Sequence, residues 1–245
     1  MKPAEFQASL AAQGIQLTAQ QLDQFTRYYQ LLVATNRRVN LTAITAEEEV
    51  YLKHFYDSLV LALAIPQLQV QPWTVCDVGA GAGFPSIPLK IAFPQLQITI
   101  VDSLNKRINF LQTLITQLDL QQVELRHARA EEFGSPKSPY RQRFDLVTAR
   151  AVARLNVLSE LCLPLVKVNG KFAAMKAQKA PQELADAQSA IQILGGKVAA
   201  DQQIALPENG GVRHVIVIDK VKATPAKYPR KPGLLNKKPL GKKGV

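Results

Sequence analysis

The chain has 245 residues, 47% of them hydrophobic, and a formal net charge of +11, which allows one α/β domain with a substantial core and excludes a mostly disordered chain. The start MKPAEFQASL lacks the apolar run of a secretory signal, and the most apolar stretch, Leu59 to Ile65, is too short to span a bilayer, so a cytoplasmic protein without membrane contact is expected. The two cysteines, Cys76 and Cys162, lie in apolar runs with neither paired nor metal-type spacing, so no disulfide or metal site is expected.

Residues 1–70 read as an N-terminal helical cap. In TAQQLDQFTRYYQLLVATN the apolar positions Leu22, Phe25, Tyr29, Leu32 and Val33 recur at helical spacing, and Thr18 with Gln21, then Thr45 with Glu48, make capping-box patterns. His54 and Asp57 lie three apart, which on one helical face would let them pair. From Trp73 the pattern changes to short apolar runs alternating with longer periodic ones. WTVCDV reads as a strand, FPSIPLKIAF as a helix, QITIVDS as a strand, NKRINFLQTLITQL as a helix, and VELRHA and RFDLVTAR as strands. ARLNVLSELCLPLV and PQELADAQSAIQIL are the next helices, with GKFAAMK as a strand between them and KVAADQQIAL and RHVIVID as the last two strands. This alternation predicts an α/β fold over residues 71–220, a mainly parallel seven-stranded sheet with helices on both faces.

Residues 221–245 differ in composition. From Lys220 to the end there are nine basic residues, interrupted by Pro225, Pro229, Pro232 and Pro239. The prolines argue against a regular helix or central strand, so the segment is expected to be an extended basic arm, either simply solvated or lying along a phosphate backbone.

The sharpest local signal is CDVGAGAGFPS, residues 76–86. Three glycines at alternate positions between a strand and a helix provide positive φ or close backbone approach to a ligand. A dinucleotide site would want a glycine at the sixth position, but that position holds Phe84 counting from Gly79 and Ser86 counting from Gly81. The pattern is instead acid-x-Gly-x-Gly-x-Gly. Asp77 is then placed for a cation such as the amino group of S-adenosylmethionine. Asp102, at the end of the next strand, is placed to accept hydrogen bonds from ribose hydroxyls, with Ala130 and Glu131 following the third strand near an adenine. No NPPY-type or Pro-Cys segment is present, which removes support for base-amino and pyrimidine carbon-5 transfer. Transfer to guanine N7 is permitted, since its in-plane lone pair needs no proton removed and positioning supplies most of the acceleration.

The blocks NLTAIT (Asn40 to Thr45), HFYDSL (His54 to Leu59), DVGAGAGFPSIPL (Asp77 to Leu89), VDSLNKRINFL (Val101 to Leu111), RAEEF (Arg129 to Phe133), FDLVTARAVARL (Phe144 to Leu155) and YPRKPG (Tyr228 to Gly233) together closely resemble the RsmG family, also called GidB. The resemblance implies a class I, Rossmann-like methyltransferase that uses S-adenosylmethionine to modify N7 of the guanosine numbered 527 in bacterial 16S rRNA. Its partner would be the small ribosomal subunit or an assembly intermediate, and the enzyme a monomer. Carried over by motif, Asp77, Gly79, Gly81, Gly83 and Phe84 would frame the cofactor, Asp102 with Ser103 and Leu104 its ribose, Ala130 and Glu131 its adenine, and Arg150 the cofactor and target pocket. Asn40, His54, Asp57 and Lys176 would meet or shape the site of the target guanine. Arg154, Arg213, Lys227, Arg230, Lys231, Lys237 and Lys238 would contact RNA. The chain departs from the family pattern at Ala80, Ser86 and Ala177, where serine, glycine and glycine are usual. A small-molecule methyltransferase of the same fold, or a non-catalytic RNA-binding assembly protein, are the competing readings.

Overall fold

The computed structural model describes residues 1–241. α1 (Pro3–Ala12) and α2 (Ala19–Val39) open the chain. Thr18 and Gln21 form the expected reciprocal cap: the Thr18 hydroxyl accepts from Gln21 N at 3.2 Å, and Gln21 Oε1 accepts from Thr18 N at 2.8 Å. α2 stops where Asn40 turns left-handed, at φ 55°. Its core face is formed by Phe25, Tyr28 and Leu32, one step round the helix from the face expected through Tyr29 and Val33, which are only partly buried. The second expected capping box does not form. α3 (Glu47–Val50) begins one residue later, behind Ala46, whose carbonyl accepts from the N–H groups of Glu49 and Val50; the Thr45 carbonyl accepts the Tyr29 hydroxyl at 3.3 Å.

A π-helical segment, Tyr51–Tyr56, then leads into α4 (Asp57–Ala64) and α5 (Gln67–Val70). The remaining elements alternate: β1 (Thr74–Val78), α6 (Ser86–Ala92), β2 (Gln97–Asp102), α7 (Asn105–Gln117), β3 (Val123–His127), α8 (Ala130–Phe133), β4 (Phe144–Arg150), α9 (Leu155–Cys162), β5 (Val166–Lys176), α10 (Ala180–Ile193), β6 (Gly196–Ala205) and β7 (Val212–Lys220). The seven strands form one sheet in the order β3-β2-β1-β4-β5-β7-β6. All pairings are parallel except β5–β7 and β6–β7, so β7 alone runs against the others. The strand order reverses between β1 and β4, the place where open α/β sheets bind ligands beyond their carboxyl ends.

Strand periodicity divides the core in two. Val75, Ile98, Ile100, Leu146, Ala173 and Val215 face the layer containing α1, α2, α4, α6 and α7. Their neighbours Cys76, Val101, Val147, Phe172, Ala174 and Ile216 face the layer of α8, α9 and α10. The N-terminal helices thus share one apolar core with the sheet, and Phe6, Phe25, Tyr28 and Phe55 are fully buried in it.

Over its described residues, 221–241, the C-terminal segment is not an extended arm. Lys220 is 1% exposed and donates its ammonium protons to the Leu163 and Leu194 carbonyls and to Thr224 Oγ1. Arg141 holds the Thr224 and Tyr228 carbonyls at 2.8 and 2.9 Å, and Arg230 embraces the buried Glu160 carboxylate, with Nη2 at 2.6 Å and Nε at 2.8 Å. Within the segment lies a short helix, α11 (Leu234–Lys237), whose Leu235 is buried. The prolines do interrupt regular structure, but carbonyl and carboxylate partners on the body of the protein fold the segment back. Of the nine basic residues, Lys242 and Lys243 lie outside the described residues.

Candidate functional site

A cleft of about 1610 Å³ opens at the carboxyl ends of β1, β2, β4 and β5. Its floor is the turn from β1 into α6. Gly79, Gly81 and Gly83 have φ of +74°, +62° and +103°, a region side-chain-bearing residues rarely enter. The three glycines are required for different reasons. A Cβ at Gly79 would come 2.8 Å from Val152 Cγ2, and one at Gly83 would come 2.7 Å from Ile87 Cγ1 and 2.8 Å from the Tyr28 hydroxyl. A Cβ at Gly81 would meet no atom within 4 Å and would only occupy the space over the turn. A bare backbone there fits a ligand seated directly on the turn.

Asp77 does not line this cleft. It is fully buried beneath the turn, where Oδ2 accepts the Ser86 N–H at 3.1 Å at the start of α6. Burial raises its pKa to about 7, against the lowering effect of the Ser86 hydrogen bonds. The residue anchors turn to helix; a direct contact with a cofactor cation, the sequence expectation, has no geometric basis.

Asp102 ends β2 on the cleft wall, 3% exposed. Its carboxylate accepts from Gly81 N at 3.2 Å, Leu104 N at 2.9 Å and Arg107 Nη1 at 3.2 Å. The tip of the glycine turn is therefore tied to the second strand. Ser103, Ala130 and Glu131 line the same end of the cleft; Leu104 contributes its backbone N–H to Asp102 instead of lining the cleft.

The other half of the cleft is built from the helical layer and the ends of β4, β5 and β7. His54 stacks on Phe84, with centroids 4.4 Å apart and planes at 19°, and its Nε2 lies 2.8 Å from Thr42 Oγ1. Burial first, then the nearby Arg150 guanidinium, lower the His54 pKa to about 4, so the ring is neutral at pH 7. His54 and Asp57 do not pair. The wider π-helical turn changes their angular separation, and Asp57 is taken by Arg150 Nη1 at 2.9 Å and Arg213 Nε at 2.8 Å. Arg150 also lies 5.1 Å over the Phe84 ring. Lys176 reaches Glu183 at 2.8 Å and the Ala153 carbonyl at 2.6 Å. Asn40 is exposed outside the cleft, and its role here is to end α2.

The basic residues divide by environment. Arg154 and Lys237 are exposed on the cleft rim, joined by Lys179, which sequence reasoning missed. Arg213 is inside the cleft on Asp57, and Arg230 is bound to Glu160 away from it. Lys227 lies 5.4 Å over its neighbour Tyr228, and Lys231 and Lys238 are exposed elsewhere. Thr42, Glu183 and Tyr28 were also missed. For Tyr28 a signal existed, since it stands three residues after Phe25 and four before Leu32, the interval of a shared helical face.

Residues 21–209 match the family described as rRNA small subunit methyltransferase G. The chain is 65% identical over 241 residues to the protein named ribosomal RNA small subunit methyltransferase G from Lacticaseibacillus paracasei, covering 98% of this chain and 99% of that one. Its namesake from Ligilactobacillus salivarius is 62% identical over 240 residues, 98% of this chain and all of that one. Among solved structures, a SAM-dependent methyltransferase from Aquifex aeolicus superimposes with a TM-score of 0.51 at 18% identity, over 69% of this chain and 92% of its own. TrmN from Thermus thermophilus gives 0.51 at 17% identity, over 70% and 53%. These two likenesses establish the fold.

Proposed function

The chain belongs to the rRNA small subunit methyltransferase G family, S-adenosylmethionine-dependent rRNA methyltransferases, and we propose that its methyl acceptor is N7 of a guanosine in 16S rRNA, position 527 by family resemblance. One observation carries the reading: the bare Gly81 backbone is tied at 3.2 Å to the Asp102 carboxylate at the switch point of the sheet. Gly79 to Gly83 would lie against the methionine part, Asp102 and Ser103 would hold the ribose, and Ala130 and Glu131 would border the adenine. Bound S-adenosylmethionine supplies an electrophilic methyl on its sulfonium.

The chain's own task is to bind and orient. N7 of guanine presents a lone pair in the ring plane, so no residue need remove a proton, and a neutral His54 is consistent with a base pocket that asks for none. Asp57 fixes Arg150 and Arg213 beside the Phe84–His54 stack, and Glu183 fixes Lys176 in the same cleft, so paired carboxylates set the positions of three cations around the space for the target base. The exposed rim cations Arg154, Lys179 and Lys237 favour a phosphate backbone entering over that half. A small-subunit particle or its assembly intermediate as substrate, a monomeric enzyme and a cytoplasmic site of action complete the proposal. No helix among the described residues is long and apolar enough to cross a membrane.

The test is to incubate the purified chain with methyl-labelled S-adenosylmethionine and small-subunit particles from cells lacking an intact copy. Label recovered as 7-methylguanosine in 16S rRNA is the expected result; label confined to protein or small molecules would reject the proposal.

A further inference from the structure

The three positive-φ glycines of the turn alternate with the small Ala80 and Ala82, which offer no polar side chain to hold them, so neighbours outside the turn help to fix its shape. Val152 abuts Gly79 on one side, and Tyr28 and Ile87 abut Gly83 on the other. Tyr28 makes the most specific of these contacts. It comes from α2, fifty-four positions earlier in the chain, and its hydroxyl donates to the Ala82 carbonyl at 2.6 Å. Its ring stacks on Phe84, the residue closing the turn, at 5.4 Å and 16°. The side chain is fully buried, and burial holds the phenol well above its ordinary pKa, so it remains a donor at any working pH.

We propose that Tyr28 is a positioning residue for the cofactor: from the N-terminal helical layer it orients the Ala82–Gly83 peptide, and so sets the affinity of the turn for S-adenosylmethionine. The inference rests on the turn being the cofactor's seat, as proposed above. Removing the hydroxyl leaves the Ala82 carbonyl without that donor and releases the peptide to other orientations. The binding-competent fraction then falls, and the apparent dissociation constant rises by the same factor. Tyr28 touches no reacting atom, so turnover at saturating cofactor is unaffected.

The experiment uses the full chain and S-adenosylhomocysteine as calorimetric probe, well below the melting temperature. Tyr28→Phe keeps the ring stack and removes only the hydroxyl. It is expected to weaken binding by about 3- to 10-fold, with kcat at saturating cofactor and the KM for RNA unchanged. Phe6→Leu is the control. Phe6 packs edge-on against Phe25 and Tyr51 at 5.0 and 5.4 Å and is separated from Tyr28 by the Phe55 ring, so its replacement should lower thermal stability while preserving affinity. Unchanged affinity in Tyr28→Phe, or equal weakening in Phe6→Leu, overturns the positioning role. A parent chain that binds no S-adenosylhomocysteine fails at the earlier step, the assignment of the cofactor seat.

Discussion

Arg150 donates to Asp57 across 2.9 Å, and this ion pair joins the end of β4 to the start of α4 in the helical layer. The second oxygen of Asp57 holds Arg213 from β7, so one carboxylate, 5% exposed, organises two guanidiniums. Asp57→Ala leaves both cations together without a counter-charge. Because their side chains keep 14% and 20% exposure, the loss should be about 2–4 kcal/mol rather than the full cost for a wholly buried pair. Urea denaturation measures it; a loss below about 0.5 kcal/mol would place the cluster among ordinary surface pairs.

The glycines of the turn should separate ligand binding from folding. Gly81→Ala costs about 1–2 kcal/mol for a left-handed alanine and meets no protein atom, yet should weaken S-adenosylhomocysteine binding by about tenfold or more. Gly83→Ala adds contacts under 3 Å with Ile87 and the Tyr28 hydroxyl, so it should lower stability and affinity together, unlike Gly81→Ala. Calorimetric titration beside thermal melts distinguishes the two patterns.

Asp102→Ala should weaken cofactor binding by about 1.5–3 kcal/mol through loss of a charged acceptor. Part of that loss arrives through the turn, since the carboxylate also holds Gly81 N. A 2′-deoxy analogue isolates the sugar contribution: it should suffer less from the substitution than the parent nucleoside. Equal losses for both would contradict a grip on that hydroxyl.

Two buried groups should give opposite pH dependences of stability. Asp77, raised to about 7, binds its proton more tightly in the folded chain, so its contribution is full below about pH 4 and is lost as pH rises to 7. His54, lowered to about 4, contributes above its ordinary pKa of about 6.5 and loses that contribution as pH falls toward 4. The two slopes oppose each other between about pH 4 and 6.5. Asp77→Asn should expose the histidine's slope, so that stability relative to the parent increases with pH by up to about 1.4 kcal/mol per unit. Urea melts at pH 4.5, 5.5 and 6.5, values chosen to span roughly that window, read it directly.

Arg154→Ala and Lys237→Ala should each reduce the slope of log affinity for RNA against log salt by about 0.7, the single-strand value for one phosphate contact. Arg230→Ala should leave that slope alone and destabilise the fold, because it strands the Glu160 carboxylate, whose side chain is 1% exposed. Filter binding across a salt series checks the first pair and a thermal melt the last. A large slope change in Arg230→Ala would restore its part in RNA contact.

The order of the seven strands and of the longer helices between them, the glycine turn at Gly79 to Gly83 and the placement of Asp102 at a strand end were legible along the chain, while the short helices α8 and α11 and the π-helical segment were not. Hydrophobic period, turn residues and caps act over a few residues, so a single sequence carries them. Partners of charges were not legible. Asp57 finds Arg150 and Arg213 at separations of 93 and 156 residues, and Glu160 finds Arg230 at 70, distances over which sequence carries no pairing rule. A run of lysines and arginines looks the same whether it lies in solvent or is folded onto buried acceptors, as Lys220 and Arg230 are. Phase was the other loss: one π-helical turn separated His54 from Asp57, and a single step round α2 put Tyr28, not Tyr29, against the turn. Local physics drew the frame of this molecule, while packing in three dimensions chose which charges neutralise one another and which remain facing the cleft.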